Sequence, residues 1–232
     1  AAKIGAVSIA ASNEDSDYLK VPETYRFDET ADYCYFTPNE TLSGLSLSVL
    51  KNRPLSVPLI ADMTSCILSE PLTITDYAMI IAGAQKNLAP SGLSVVIIKH
   101  SFLMQTLKNP LPSFFDYKVH AKHQSNYATP PTFNIYMANL MLKWVQSQGG
   151  VEALNLINKE KAALLYDCID ACDFYHSPIV TTDRSIMNVT FRLANETLNE
   201  DFLAQAQKKG LVALKGHRSI GGMRASIYNA MP

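Results

Sequence analysis

Three short apolar runs constrain this chain more than anything else in it. Val57–Ala61, Tyr77–Ala82 and Leu93–Ile98 are nearly continuous in apolar residues and do not alternate with polar ones. Runs of that length, punctuated by Gly, Pro and Asp, read as strands of a sheet covered on both faces. Covered sheets belong to α/β folds, in which helices pack on either side. Ala31–Phe36 reads as a further strand, followed by a turn-rich stretch at Thr37–Thr41. Thr132–Gln148 is periodic, with Pro130-Pro131 before it and Gly149-Gly150 after it, the start and stop signals of a helix. Val151–Cys172 reads as a second helix, with Leu154, Ile157, Leu164, Leu165, Ile169 and Cys172 at helical spacing. Phe114–Gln124 is polar-aromatic and is left unassigned.

From Asp173 onward the pattern changes. Met187–Leu193 alternates like a half-buried strand, Glu196–Lys209 is an amphipathic helix stopped by Gly210, and Leu211–Leu214 and Arg224–Tyr228 read as short strands. The chain is therefore expected to divide into residues 1–150, a large α/β unit, and 151–232, a connecting helix with a smaller α+β unit. Ala1–Ser12 is mildly apolar without a basic leader and reads as the tail of a helix whose beginning lies outside these residues.

Composition removes several classes of function. Of 232 residues, 47% are apolar and 18% charged, so core material is ample. The net charge of -1 is spread without basic or acidic blocks, which argues against nucleic acid and membrane-surface partners. No apolar run reaches the ~20 residues of a membrane helix. Cys34, Cys66, Cys168 and Cys172 form no C-x-x-C pair; they read as buried, small apolar side chains in a reducing, cytoplasmic compartment. His120 and His123 lack further ligand-type residues at metal spacing, and Trp144, Met137 and Met141 read as packing.

Two places carry chemistry. Lys86 lies in Gly83-Ala84-Gln85-Lys86-Asn87, a small-residue loop between two strand-like runs. Taken alone, such a lysine reads as a side chain reaching for solvent. Held beside a sheet it would be partly desolvated, which favours the neutral amine and makes it a Schiff-base nucleophile. Asp62 ends a strand, where α/β proteins present ligand-binding groups, although an isolated aspartate there more often caps a turn. A carboxylate beside a Schiff-base lysine is the pair pyridoxal phosphate requires, because it keeps the pyridine nitrogen protonated. Near the end, Lys215-Gly216-His217-Arg218 precedes Arg224 across a glycine-rich turn. Arginine forks bind carboxylate and phosphate; a solvated basic turn is the simpler alternative.

Five segments together carry a resemblance: Thr37-Pro38-Asn39-Glu40-Thr41, Ala61-Asp62-Met63-Thr64-Ser65, Gly83-Ala84-Gln85-Lys86-Asn87, Ala128-Thr129-Pro130-Pro131-Thr132-Phe133, and Lys215 through Pro232. In that order they resemble the class V aminotransferases of the fold-type I pyridoxal-phosphate superfamily, in particular the phosphoserine aminotransferase family. The resemblance implies a mainly parallel large-domain sheet with flanking helices and a smaller C-terminal α+β domain. It implies that Lys86 carries the cofactor and moves the substrate proton, that Asp62 pairs with the pyridine nitrogen, and that Thr41 bonds the phenolic oxygen. Gln85 would contact the cofactor phosphate, and Thr129, beside Ala128, the phosphate in a neighbouring subunit, so the unit would be a homodimer with shared sites. Arg224 would clamp the substrate carboxylate, and His217 and Arg218 the substrate phosphate. The implied reaction exchanges an amino group between L-glutamate and 3-phosphohydroxypyruvate, in serine biosynthesis and, in bacteria, also in the phosphohydroxythreonine step of pyridoxine synthesis.

The chain departs from the family pattern in two ways. Ala128 stands where the family commonly has asparagine, so only a backbone contact could survive there. The family's first third, with its amide cup for the cofactor phosphate, and its last helix have no counterpart in these residues. Residues 1–232 alone are thus expected to need the missing N-terminal segment of the same protein. A non-catalytic dimerising fragment and another class V aminotransferase are the competing readings.

Overall fold

The computed structural model describes residues 2–3, 5–47, 50, 54, 56–105 and 110–232. In chain order the strands of the first half are β1 (Cys34–Phe36), β2 (Asn39–Glu40), β3 (Leu45–Ser46), β4 (Leu59–Asp62), β5 (Met79–Gly83) and β6 (Ser94–Ile98). Helices α1 (His100–Leu103), α2 (Tyr117–Lys122), α3 (Thr132–Ser147) and α4 (Gly150–Asp170) follow. The chain closes with β7 (Tyr175–His176), β8 (Asn188–Leu193), α5 (Asn199–Lys208) and β9 (Met223–Ser226).

The apolar runs form one sheet in the order β1-β4-β5-β6. β1, β4 and β5 are parallel, with Phe36 level with Ala61 and Asp62 level with Ile81. β6 returns antiparallel, pairing Gly83 with Ser94. Because three strands run the same way, the segments after Phe36, Asp62 and Gly83 all leave at one edge, where open α/β sheets bind ligands. Beneath that edge Phe36, Leu59, Ala61, Ile80, Ala82 and Leu88 share a buried cluster. The mixed α/β architecture is thus the one the apolar runs imply.

A second core lies where α4 packs on β8 and β9. Ala162, Ile169, Val189, Phe191, Leu193 and Met223 fill it. β7, β8 and β9 form a three-stranded antiparallel sheet.

Several expectations change in detail. The strand expected over Ala31–Phe36 keeps only its last three residues. Leu211–Leu214 is not a strand: Ala213 takes a left-handed φ of 59°, and only the following Lys215 bridges to Met223. The described residues of Ala1–Ser12 are not helical; the carbonyl of Ala10 accepts from Arg26 N–H instead. Phe114–Gln124 becomes a 3-10 turn and the short helix α2. β8 is buried on both faces rather than half-buried, because its polar positions Asn188 and Thr190 are hydrogen-bonded inside the molecule. On α4 the buried stripe is Leu154, Asn158, Ala162 and Ile169, whereas Leu164 and Ile157 are exposed. Cys168 and Cys172 are exposed as well, and only Cys34 and Cys66 are partly buried. Side chains at i and i+4 stack on one face, so the stripe through Asn158 leaves the neighbouring apolar stripe outside.

Candidate active site

The site is built from the segments that leave the sheet edge. After β4, Asp62 opens a turn in which Ile67 N–H reaches the carbonyl of Met63 at 2.7 Å. Thr64 closes this turn on the aspartate: its N–H and hydroxyl donate to Asp62 Oδ1 at 3.0 and 2.6 Å. The same hydroxyl oxygen accepts Gly83 N–H at 3.0 Å, joining the end of β5 to the Asp62 turn. Among the described residues Asp62 Oδ2 receives only a long contact from the Tyr35 hydroxyl, at 3.4 Å. One carboxylate oxygen is therefore held by the protein, while the other has acceptor capacity to spare.

After β5 the chain turns tightly, and the carbonyl of Ala84 accepts the N–H groups of Leu88 and Ala89 at 3.0 and 2.8 Å. Ala84 and Leu88 point into the core and Gln85 points out. This leaves Lys86 half-buried, with its Nζ donating to the hydroxyl of Thr41. Burial, and then the positive charge of Arg224, pull the Lys86 amine below its ordinary value; Asp62, Cys66 and Glu40 partly restore it. Desolvation lifts Glu40 in turn, against the pull of Lys86. Burial pushes the Cys66 thiol up to about 12, so it stays protonated and is no nucleophile.

Arg224 reaches this cluster from β9. Its Nη1 donates to the carbonyl of Thr41 at 3.3 Å, and its Nε is buried with no partner among the described residues. A buried guanidinium N–H without an acceptor carries a desolvation penalty that an anionic ligand would relieve.

Thr41, Asp62, Lys86 and Arg224 thus converge. Gln85, Ala128 and Thr129 are exposed, and so are His217 and Arg218. Among the described residues no hydrogen bond or ion pair links these five to Lys86 or Asp62. His217 instead bonds within its own turn, through Nδ1 to the Ser219 hydroxyl at 2.7 Å. No group of metal-ligating side chains occurs among the described residues, His120 and His123 included.

Sequence reasoning missed the groups that hold this cluster. Thr64, two residues after Asp62, carries the usual signal of a side-chain turn and could have been found. Tyr35 carries no such signal. Nor do three buried asparagines, Asn39, Asn87 and Asn229, whose partners lie far away in sequence. Asn39 Nδ2 donates to the hydroxyl of Ser65 and to Asn188 Oδ1, both at 2.8 Å, so the segment carrying Thr41 is tied to the Asp62 turn and to β8.

A half-desolvated amine, a carboxylate with one weakly engaged oxygen and a guanidinium whose Nε has no acceptor among the described residues are what a carbonyl cofactor with a basic ring nitrogen and a carboxylate substrate would engage. Comparisons with known proteins show the family. The family model for class-V aminotransferases matches residues 17–232, and the chain belongs to that family. Within it, the chain is 46% identical over 224 residues to the phosphoserine aminotransferase of Legionella pneumophila (strain Paris), covering 95% of this chain and 62% of that protein. It is 46% identical to the phosphoserine aminotransferase of Geobacillus kaustophilus, covering 100% of this chain and 64% of the relative. The crystal structure of phosphoserine aminotransferase from Bacillus circulans subsp. alkalophilus superposes with a TM-score of 0.95 at 44% identity, covering all of this chain and 64% of that one. A pyridoxal-phosphate-bound phosphoserine aminotransferase from Trichomonas vaginalis superposes with a TM-score of 0.91 at 37% identity, covering 98% of this chain and 64% of the other. The chain therefore spans somewhat less than two thirds of the length of the relatives it matches.

Proposed function

We propose that the complete protein carrying this chain is a pyridoxal-phosphate-dependent phosphoserine transaminase. It moves an amino group between L-glutamate and 3-phosphohydroxypyruvate, giving O-phospho-L-serine and 2-oxoglutarate. The convergence of Lys86, Asp62, Thr41 and Arg224 around a desolvated amine carries the reading. When bound, the cofactor supplies a carbonyl for an amine to attack and a ring that withdraws electrons. Asp62, fixed by Thr64, would keep the ring nitrogen protonated through its free oxygen. Thr41 would orient the Lys86 amine and take up the cofactor's phenolic oxygen. Lys86 Nζ, neutral in a larger fraction than an ordinary lysine, would attack the carbonyl and later accept the proton from the substrate α-carbon. Arg224 would hold the substrate carboxylate with the guanidinium whose Nε has no partner among the described residues.

The reading extends to the assembly. Thr129, Ala128, His217 and Arg218 stand apart from Lys86, which supports a homodimer in which they serve the neighbouring subunit's site, with Gln85 near the cofactor phosphate. Residues 1–150 would be the cofactor-binding domain and 151–232 the smaller domain. The four free cysteines support a reducing, cytoplasmic setting. In a bacterium the same site would also serve the phosphohydroxythreonine step of pyridoxine synthesis.

The deciding test is borohydride reduction of the cofactor-loaded complete protein, followed by peptide mapping. A phosphopyridoxyl adduct on Lys86 is expected; its absence from cofactor-replete protein overturns the reading. One competing reading is a class V enzyme for unphosphorylated substrates, against which the His217-Arg218 pair argues, because a second anion clamp would then be superfluous. Equal turnover of serine and phosphoserine as amino donors would decide for it.

A further inference from the structure

One buried residue is bonded to the turns that carry Asp62 and Lys86 and follows closely on the strand that carries Arg224. Asn229 lies five positions after Arg224 and is 2% exposed. Its backbone N–H donates to Asn87 Oδ1 at 3.1 Å, and Asn87 is the residue after Lys86. Its Nδ2 donates to the carbonyl of Leu68 at 2.9 Å, in the turn that Asp62 opens. Its Oδ1 accepts from Asn158 Nδ2 at 2.9 Å, and its carbonyl accepts from Lys161 Nζ at 3.4 Å, both on α4. Each partner is anchored in its turn: Asn87 Nδ2 donates to the carbonyl of Ile67 at 3.0 Å, and Asn158 Nδ2 also donates to the carbonyl of Ser69 at 3.1 Å. Asn158 is fully buried and Asn87 is 3% exposed, so these bonds are shielded from water.

Building this hub from asparagines serves geometry rather than packing. An apolar side chain at position 229 would bury equal area but remove the donor to the carbonyl of Leu68 and leave the Asn158 amide with the carbonyl of Ser69 alone. A bond made by a buried amide also fixes direction, so the Lys86 turn, the Asp62 turn and the strand of Arg224 cannot slide past one another separately.

Resting on the proposed transaminase reading, we propose that Asn229 is a positioning residue that sets Lys86, Asp62 and Arg224 in register with one another. It touches none of the reacting atoms and acts through Asn87, Leu68 and its own segment, the turn that follows β9. Because catalytic groups must be aligned within a fraction of an ångström, loosening the hub lowers turnover without removing any group that reacts. It also lets water reach Lys86, whose amine is depressed chiefly by burial.

The test uses the complete protein, stripped of cofactor, with Asn229→Ala and separately Asn158→Ala. Asn158→Ala removes the bond to Asn229 Oδ1 while leaving Asn229 in place, and it serves if Asn229→Ala does not fold. Pyridoxal phosphate capture by Lys86 is followed by absorbance across pH and verified by borohydride trapping. Both variants are expected to bind the cofactor, to shift the capture midpoint upward by about half a pH unit, and to lose about tenfold in kcat. Unmoved capture midpoints in folded variants, whatever their thermal stability, would make Asn229 a structural residue only and overturn the proposal. Failure of the unsubstituted protein to capture cofactor on Lys86 would instead overturn the transaminase reading.

Discussion

At the scale of single residues, the lowered amine of Lys86 has two main causes whose effects can be separated. Burial is the larger cause of its lowered amine and the charge of Arg224 the next. The reactive form is the neutral amine, present above the folded-state pKa. Replacing Arg224 by Gln removes the repulsive charge but not the burial. Capture of pyridoxal phosphate by the cofactor-free protein is therefore expected to need a higher pH than in the unsubstituted protein, while remaining below the ordinary lysine value of about 10.4. The same variant should raise KM for both amino-acid substrates, since a charge-assisted bond to carboxylate contributes about 1.5–3 kcal/mol. A capture profile that stays in place, measured by absorbance against pH, would mean that Arg224 does not act on Lys86 electrostatically. The residues proposed to react could be named from the sequence, because Lys86, Asp62 and Arg224 each sit in a short segment that carries the family resemblance. The residues that hold them could not. Asn39, Asn87 and Asn229 are ordinary polar residues whose roles exist only once segments 26 to 149 positions apart come together.

At the scale of elements, the sheet was legible and the irregular edges were not. Non-alternating apolar runs mark β4 and β5, because burial leaves no polar side to show; β6 carries the same kind of run but is no more than half-buried, with Ile97 exposed, so the cover expected on both of its faces is not seen among the described residues. β1 was over-read at its start, since the exposed Tyr33 looks apolar in sequence yet lies outside the strand. The turn between β2 and β3 shows how local geometry and the site are joined. Gly44 there has a φ of +78°, and a Cβ on it would meet the carbonyl oxygen of Asn188 at 2.6 Å and Thr190 Oγ1 at 2.7 Å. Thr190 Oγ1 also donates to the carbonyl of Ser43 at 2.6 Å, fixing the turn that presents Thr41 to Lys86. Gly44→Ala therefore meets both a left-handed backbone and a clash with a strand that cannot yield. We expect a loss of about 2–4 kcal/mol in stability, read as a lower urea midpoint, together with slower capture of cofactor by Lys86. An unchanged midpoint would show that the turn can move off β8 without strain.

At the scale of the whole molecule, the groups proposed for the site fall into two sets. Lys86, Asp62, Thr41 and Arg224 converge within one chain, whereas Thr129, His217 and Arg218 stand exposed and apart. In the proposed homodimer a two-fold axis would have to bring the second set to the first at both sites at once, since an isologous interface makes each contact twice. Exposed apolar side chains on α3, including Phe133, Tyr136 and Leu142, leave that helix with surface to bury. Sharing predicts complementation between two dead variants of the complete protein. Lys86→Ala lacks the amine, and Thr129→Asp places a negative charge where a cofactor phosphate would sit. Each homodimer is then defective at both sites. In a mixed dimer of the shared kind, one site combines both defects while the other receives Lys86 from one chain and Thr129 from its partner, and so is intact. Random reassortment of equal amounts makes half the dimers mixed, so about a quarter of the unsubstituted activity should return. If each chain instead built its own site, every site in the mixture would keep a defect and no activity would return. Turnover of the refolded mixture, with the dimer verified by sedimentation, separates the two arrangements.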